Sequence, residues 1–179
     1  MTTHVAFLRA VNVAGHASVR MVDLRAAFER AGCQAVRTYI QSGNVLFDAP
    51  AAEIPTLLPR LREAVNRLAG GPTTVVFRTL RELAALVRSA PFRDYEDVND
   101  LKLYVAFLAA RPRRAPELPL HLPSDGLEAF ALRRHDVLLV NRRVRGRFGF
   151  PNNLVEKEFG VPATTRNWRT VTKLVALAR

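Results

Sequence analysis

At 179 residues and 49% hydrophobic, the chain is long enough for one compact domain or two small ones sharing a core, and too apolar for disorder. No apolar run approaches the roughly 20 residues of a membrane helix, and the start, Met1-Thr2-Thr3-His4, lacks a basic region leading into an apolar core, so the expected location is cytoplasmic, with no membrane partner. The net charge is +11, of which residues 111–179 contribute +8 from fourteen basic and six acidic side chains, an asymmetry that favours an anionic partner, nucleic acid first. Against this, only Lys102, Lys157 and Lys173 are lysines, and an Arg-rich, Lys-poor chain is also what a GC-rich genome encodes.

His4 to Arg9 reads as a first strand, apolar enough to be buried on both faces. After a loop at 12–18, Met21, Leu24, Ala27 and Phe28 recur at helical spacing, with Gly32 as the stop. Thr38-Tyr39-Ile40 and Val45-Leu46-Phe47 then flank Ser42-Gly43-Asn44. This predicts a tight hairpin, central in its sheet, with Gly43-Asn44 in a type II′ turn and Gly43 at positive φ. Leu57, Leu58, Leu61, Val65 and Leu68 make a second helix closed by Gly70-Gly71-Pro72, and Thr73 to Arg78 is a fourth strand. The order β-α-β-β-α-β predicts an α+β fold with a ferredoxin-like subdomain over residues 1–90, the alternative being a sandwich of another strand order.

A helix over Leu80–Val87 ends at Pro91, and 91–100 reads as an acidic connector to a second, related α+β subdomain at 101–179, packed on the first. There Lys102 to Leu108 is a strand. The proline-rich Arg113–Pro123 allows only a short helix, and Leu127–Leu132 and Val137–Val140 form a hairpin around His135-Asp136. Asn152–Phe159 and Trp168–Leu177 are helices, so this half reads β-α-β-β-α-α. Val105-Ala106-Phe107-Leu108 repeats Val5-Ala6-Phe7-Leu8, a short hint of duplication.

No catalytic constellation stands out, and whether the protein is an enzyme stays open. His4, His16, His121 and His135 lie in separate segments with no ligand spacing around them, so neither a metal nor a cofactor is expected. Cys33 reads as a small buried hydrophobe, and Ser42 lacks the two glycines of a nucleophile elbow. Asp94, Glu96, Asp97 and Asp100 carry hard-cation chemistry, but no Gly supplies the bend of a calcium loop.

Two stretches stand out. Arg133 and Arg134 with Arg142, Arg143, Arg145 and Arg147 flank the second hairpin, and guanidinium groups bind phosphate bidentately and stack on bases. The competing explanation is an edge hairpin guarded by charge. The second stretch is Thr164-Thr165-Arg166-Asn167 before Trp168. Asn167 is placed to cap the last helix, and the four polar residues in a row suggest a polar pocket at a helix start.

Leu8-Arg9-Ala10-Val11-Asn12-Val13, Arg37 through Val45, and Glu156-Lys157 with Gly160 through Trp168 together resemble the bacterial domain-of-unknown-function family 1697. The resemblance implies a ferredoxin-like part and a second α+β part, with no established activity, cofactor or catalytic residue. The family usually has Gly where this chain has Ala10 and Ala14, which weakens a phosphate cradle in the first loop, and the Arg-rich hairpin is not part of its pattern. The leading expectation is a module that binds nucleic acid or a phosphate-bearing ligand through the arginines. The alternatives are a small-molecule enzyme or sensor joining Arg9, Asn12, Gln41, Ser42 and Asn44 to Thr164, Thr165, Arg166 and Asn167, and an interaction scaffold such as a homodimer.

Overall fold

Val5, Ala6, Phe7 and Leu8 are consecutive and fully buried. Successive side chains of a strand point to opposite faces, so both faces of β1 (Thr2–Leu8) are covered. The computed structural model describes every residue except 10, 12–17, 96, 97 and 179. It divides into a first unit built on Met1–Ala84 and a second on Ala85–Leu177.

In the first unit β1 is followed by α1 (Met21–Arg30), β2 (Gln34–Tyr39), β3 (Asn44–Ala49), α2 (Ile54–Ala69) and β4 (Val75–Thr79). The sheet order is β2-β3-β1-β4, and every pairing is antiparallel. Ala6 and Leu8 share one core with Val45, Phe47 and Ala49 of β3, Leu24 and Phe28 of α1, and Leu57, Leu61 and Val65 of α2, so both helices cover the same sheet face. Phe47 meets Phe28 and Phe77 edge-on, at centroid distances of 5.4 and 6.4 Å.

The hairpin departs from expectation in two ways. Tyr39 pairs with Asn44, which leaves a four-residue loop, Ile40–Gly43, in place of a two-residue type II′ turn. Of its two strands only β3 is internal, and β2 is an edge with a register shift between Gln34 and Arg37, where Ala35 has φ 47°. Gly43 does adopt positive φ, 72°. Its carbonyl accepts the Leu8 N–H at 2.9 Å, which draws the loop against the end of β1.

Helix α3 (Leu80–Arg88) starts directly from β4. Thr79 Oγ1 accepts the Glu82 N–H at 3.1 Å while Glu82 Oε2 accepts the Thr79 N–H at 2.8 Å, a reciprocal capping box. The second unit continues with β5 (Leu101–Leu108), β6 (Leu120–Leu122), β7 (Leu127–Arg133), β8 (Asp136–Arg142), α4 (Pro151–Phe159), β9 (Ala163–Asn167) and α5 (Trp168–Leu177). It differs from the expected β-α-β-β-α-α in two places. The proline-rich stretch yields no α-helix but the three-residue edge strand β6, and the polar run before Trp168 is a strand, since its β-branched threonines pair along β5.

The sheet order is β6-β7-β8-β5-β9, again antiparallel throughout. Without β6 this is the order of the first sheet, with β5 in the place of β1 and α4 linking β8 to β9 as α2 links β3 to β4. The repeated Val-Ala-Phe-Leu therefore lies on equivalent central strands, and the same face of β5 packs Ala106 and Leu108 against Val155 and Phe159 of α4. Among the described residues no helix is long and apolar enough to cross a membrane.

Two stability predictions follow from the first unit. A Cβ on Gly43 would overlap Val11 Cγ2 and lie 2.8 Å from Leu8 Cβ, at a φ that L side chains avoid. Gly43→Val should cost about 1–3 kcal/mol in urea unfolding from backbone strain, with the overlap adding to it, and an unchanged midpoint would refute this turn geometry. His4 is buried and stacked on Phe47 at 5.4 Å, and its Nε2 has no hydrogen-bond partner among the described residues. Burial lowers its pKa, opposed by the Glu82 and Asp48 carboxylates. The unfolded imidazole takes up a proton near pH 6.5 and the folded one only below that. Stability should thus fall as pH drops through about 6.5, and His4→Phe should flatten that part of the profile.

Candidate functional site

The sequence-selected polar residues separate by unit. Arg9, Gln41, Ser42 and Asn44 belong to the first, and Thr164–Asn167 to the second. Asn12 lies outside the described residues, as do Glu96 and Asp97 of the acidic connector. Arg9 and the hairpin loop come together at the end of β1, where the Arg9 N–H donates to Thr74 O at 2.8 Å beside the Leu8–Gly43 bond. Asn44 is fully buried, and its Nδ2 donates to Tyr39 O and Ser42 Oγ, each at 3.0 Å. Its amide therefore holds the loop shut from within.

Strand β9 accounts for much of the Thr-Thr-Arg-Asn run by alternation. Thr165 Oγ1 bonds Asn152 Oδ1 at the start of α4. Asn167 Oδ1 accepts the Arg169 N–H at 2.8 Å and so caps α5. Thr164 and Arg166 point to the other face and are buried. Arg166 Nη1 donates to Thr164 Oγ1 at 2.8 Å and to Thr165 O at 2.9 Å. Burial pushes its pKa down to about 10, which still leaves the guanidinium charged at neutral pH.

The six hairpin arginines do not form one patch. Arg133 and Arg134 lie at the β7–β8 turn and Arg142 at the far end of β8. That strand has seven residues, so the two groups are ~20 Å apart along it. Arg142 pairs with Glu128 at 3.1 Å. Arg143 pairs with Asp100 at 3.4 Å, donates to Asn99 O at 3.0 Å and lies over the Phe148 ring at 5.1 Å. Arg145 and Arg147 are exposed and their side chains have no partner among the described residues. They ride a two-residue turn closed by Val144 and Arg147, whose N–H groups donate to each other's carbonyls at 2.8 and 3.0 Å. Arg145 and Gly146 have φ of 48° and 77°, the signature of a type I′ turn.

Sequence reasoning gave Asn141 no role. It is fully buried, donates from Nδ2 to Gly149 O at 2.9 Å and accepts the Gly149 N–H on Oδ1 at 3.3 Å. It thus clamps the segment that follows the turn. No sequence signal marks it, because its partner is a backbone amide eight residues on. The first unit has a shallow groove between α1 and α2, rimmed by Arg30, Arg60 and Arg67 over Ala27, Ala31 and Ala64, with Glu63 paired to Arg67. Among the described residues no three His, Cys, Asp or Glu side chains gather as metal ligands. Cys33 is buried and its thiol is pushed up to about 11 by burial, which leaves it unreactive at neutral pH.

Residues 1–137 match the model of a family described as "Protein of unknown function (DUF1697)". The chain belongs to the DUF1697 family. The match includes β1, the β2–β3 hairpin and the β7–β8 turn, and stops short of Arg142–Arg147 and β9. A conserved bacterial protein from Streptococcus pneumoniae, SP0830, has a similar solved structure, with a TM-score of 0.66 at 16% identity over 99% of both chains. No curated protein matches the chain. This DUF1697 chain therefore shares its fold with SP0830.

Replacing Asn141 tests the clamp. Asn141→Ala removes both hydrogen bonds to the half-buried Gly149 and should destabilise by about 1–3 kcal/mol in urea unfolding, with faster amide exchange at Gly149. Unchanged exchange there would show that the turn is held by other contacts.

Proposed function

We propose that this DUF1697 protein binds nucleic acid or a phosphate-bearing ligand through the arginine turn of its second unit, on a scaffold whose first unit is a ferredoxin-like plait. The β2-β3-β1-β4 order of an antiparallel sheet with both helices on one face supports the plait reading. The observation that carries the binding reading is the pair of unengaged guanidinium groups at Arg145 and Arg147. Four of the six hairpin arginines contribute less. Arg142 and Arg143 are already neutralised by Glu128 and Asp100, and Arg133 and Arg134 lie at the other end of β8.

A guanidinium that is not paired within the protein gains most from a phosphate, since no existing ion pair must break. A type I′ turn fixes the backbone of Arg145 at its centre, and the paired Val144–Arg147 hydrogen bonds fix that of Arg147 at its close, so little backbone freedom is lost when they bind. The double variant Arg145→Gln/Arg147→Gln should weaken binding of a labelled oligonucleotide. It should also reduce the slope of log affinity against log salt by about 0.7 per lost contact on a single strand and about 0.9 on a duplex. Fluorescence anisotropy across a salt series reads both quantities, and wild-type protein that binds no nucleic acid at low salt would end the proposal.

A further inference from the structure

Phe150 is 75% exposed, the largest exposure among the described large hydrophobic residues. It closes the segment Arg145-Gly146-Arg147-Phe148-Gly149-Phe150, in which cations and aromatic rings interleave. The two rings differ in what they face. Phe148 is covered by the Arg143 guanidinium at 5.1 Å, whereas Phe150 has no ring or cation partner among the described residues. Burying such a ring typically stabilises a fold by about 1.5–3 kcal/mol, so an exposed one forgoes that gain.

The exposure is built into the backbone. Asn141 clamps Gly149, the residue before Phe150. A Cβ on Gly149 would come within 2.6 Å of Asp125 O, so the chain runs too close to its neighbour here for a side chain. Pro151, the residue after Phe150, opens α4 and fixes its own φ. Phe150 is also the N-cap residue of α4, at φ −101° and ψ 99°, and Asn153 N–H donates to its carbonyl at 3.2 Å. Its backbone is therefore held on both sides while its ring faces solvent. Three residues of chain reach at most ~11 Å, so the ring and the Arg147 guanidinium can serve neighbouring nucleotides of one strand.

We infer that the Arg145–Phe150 segment is a binding platform for single-stranded nucleic acid, with the Phe150 ring stacking on an unpaired base and Arg145 and Arg147 holding the flanking phosphates. This rests on the proposed arginine-turn reading and narrows its ligand. Duplex bases are already stacked on each other and offer no free face to a ring, whereas an unpaired base does. With one stacking ring and no base-edge readout, the platform should tolerate different bases.

The test uses the full chain and three labelled probes of twelve nucleotides: a single-stranded oligonucleotide, its duplex, and an abasic strand of the same phosphate count. Wild type should bind the single strand more tightly than either of the others. Phe150→Ala should lose about 5- to 150-fold on the single strand, the span of one stacked base, with little change on the abasic strand. Phe150→Trp should retain single-strand binding, and Arg145→Gln/Arg147→Gln should weaken all three. Because Phe150 is exposed, Phe150→Ala should melt like wild type, which thermal unfolding checks. If the probes bind but Phe150→Ala has no effect, or lowers all three equally, the single-strand inference falls and the arginine-turn reading stands. If no probe binds wild type, both fall together.

Discussion

The structure depends on one constraint met twice, a central strand that must be apolar on both faces. In β1 and β5 the run Val-Ala-Phe-Leu is buried residue by residue. Each strand bonds to two antiparallel neighbours, β3 and β4 for β1, β8 and β9 for β5. A polar side chain buried in such a strand costs stability unless the fold supplies it a hydrogen bond, as it does for Asn44 of β3 and Asn141 of β8. The remaining elements are arranged to supply the central strand's two covers, and what varies between the units is how that is done. The first unit places α1 and α2 over one face. The second has α4 and, in the place of α1, a proline-rich passage ending in a three-residue strand.

That substitution explains where the sequence was readable and where it was not. The first unit has strong periodicity and clean stops, so each of its elements was visible in order, down to the positive φ of Gly43. The hairpin turn was misjudged because Ile40 reads as a strand residue, yet it has φ 50° and lies in the loop. Asn44 reads as a turn residue, yet it pairs with Tyr39. In the second unit β9 was hidden because its residues are polar, although Thr164 and Thr165 favour strands. The sign of tertiary pairing to β5 is absent from the local sequence. The T-x-x-E of Thr79 and Glu82 is a capping-box pattern that the helix reading over Leu80–Val87 did not use, and in the structure it caps the start of α3.

The site residues divide along the same line. Asn44, Thr165 and Asn167 look chemical in sequence and prove to satisfy backbone or side-chain partners nearby. The arginines look alike in sequence and differ in structure, because an ion pair depends on which acid the fold brings close. Glu128 is fourteen residues from Arg142 in the chain and Asp100 is farther still from Arg143, so no spacing rule could have separated engaged from free guanidiniums. Phe150 is the converse case. Sequence patterning would send a phenylalanine to the core, yet here the backbone on either side is held by the clamp at Gly149 and by Pro151 while the ring stays exposed.

The register shift in β2 has a consequence for how copies of the chain meet. A straight edge strand is a template that any extended segment can extend, and proteins that leave one open tend to assemble edge to edge. In β2 the residues between Gln34 and Arg37 fall out of step with β3, and Ala35 turns to a left-handed conformation. The outward amides and carbonyls on either side of that point no longer follow one ladder, so an incoming strand can match one stretch or the other but not both. The irregularity thus works as a stop codon for the sheet on its β2 side, next to the charge that the exposed Arg37 already places on that edge.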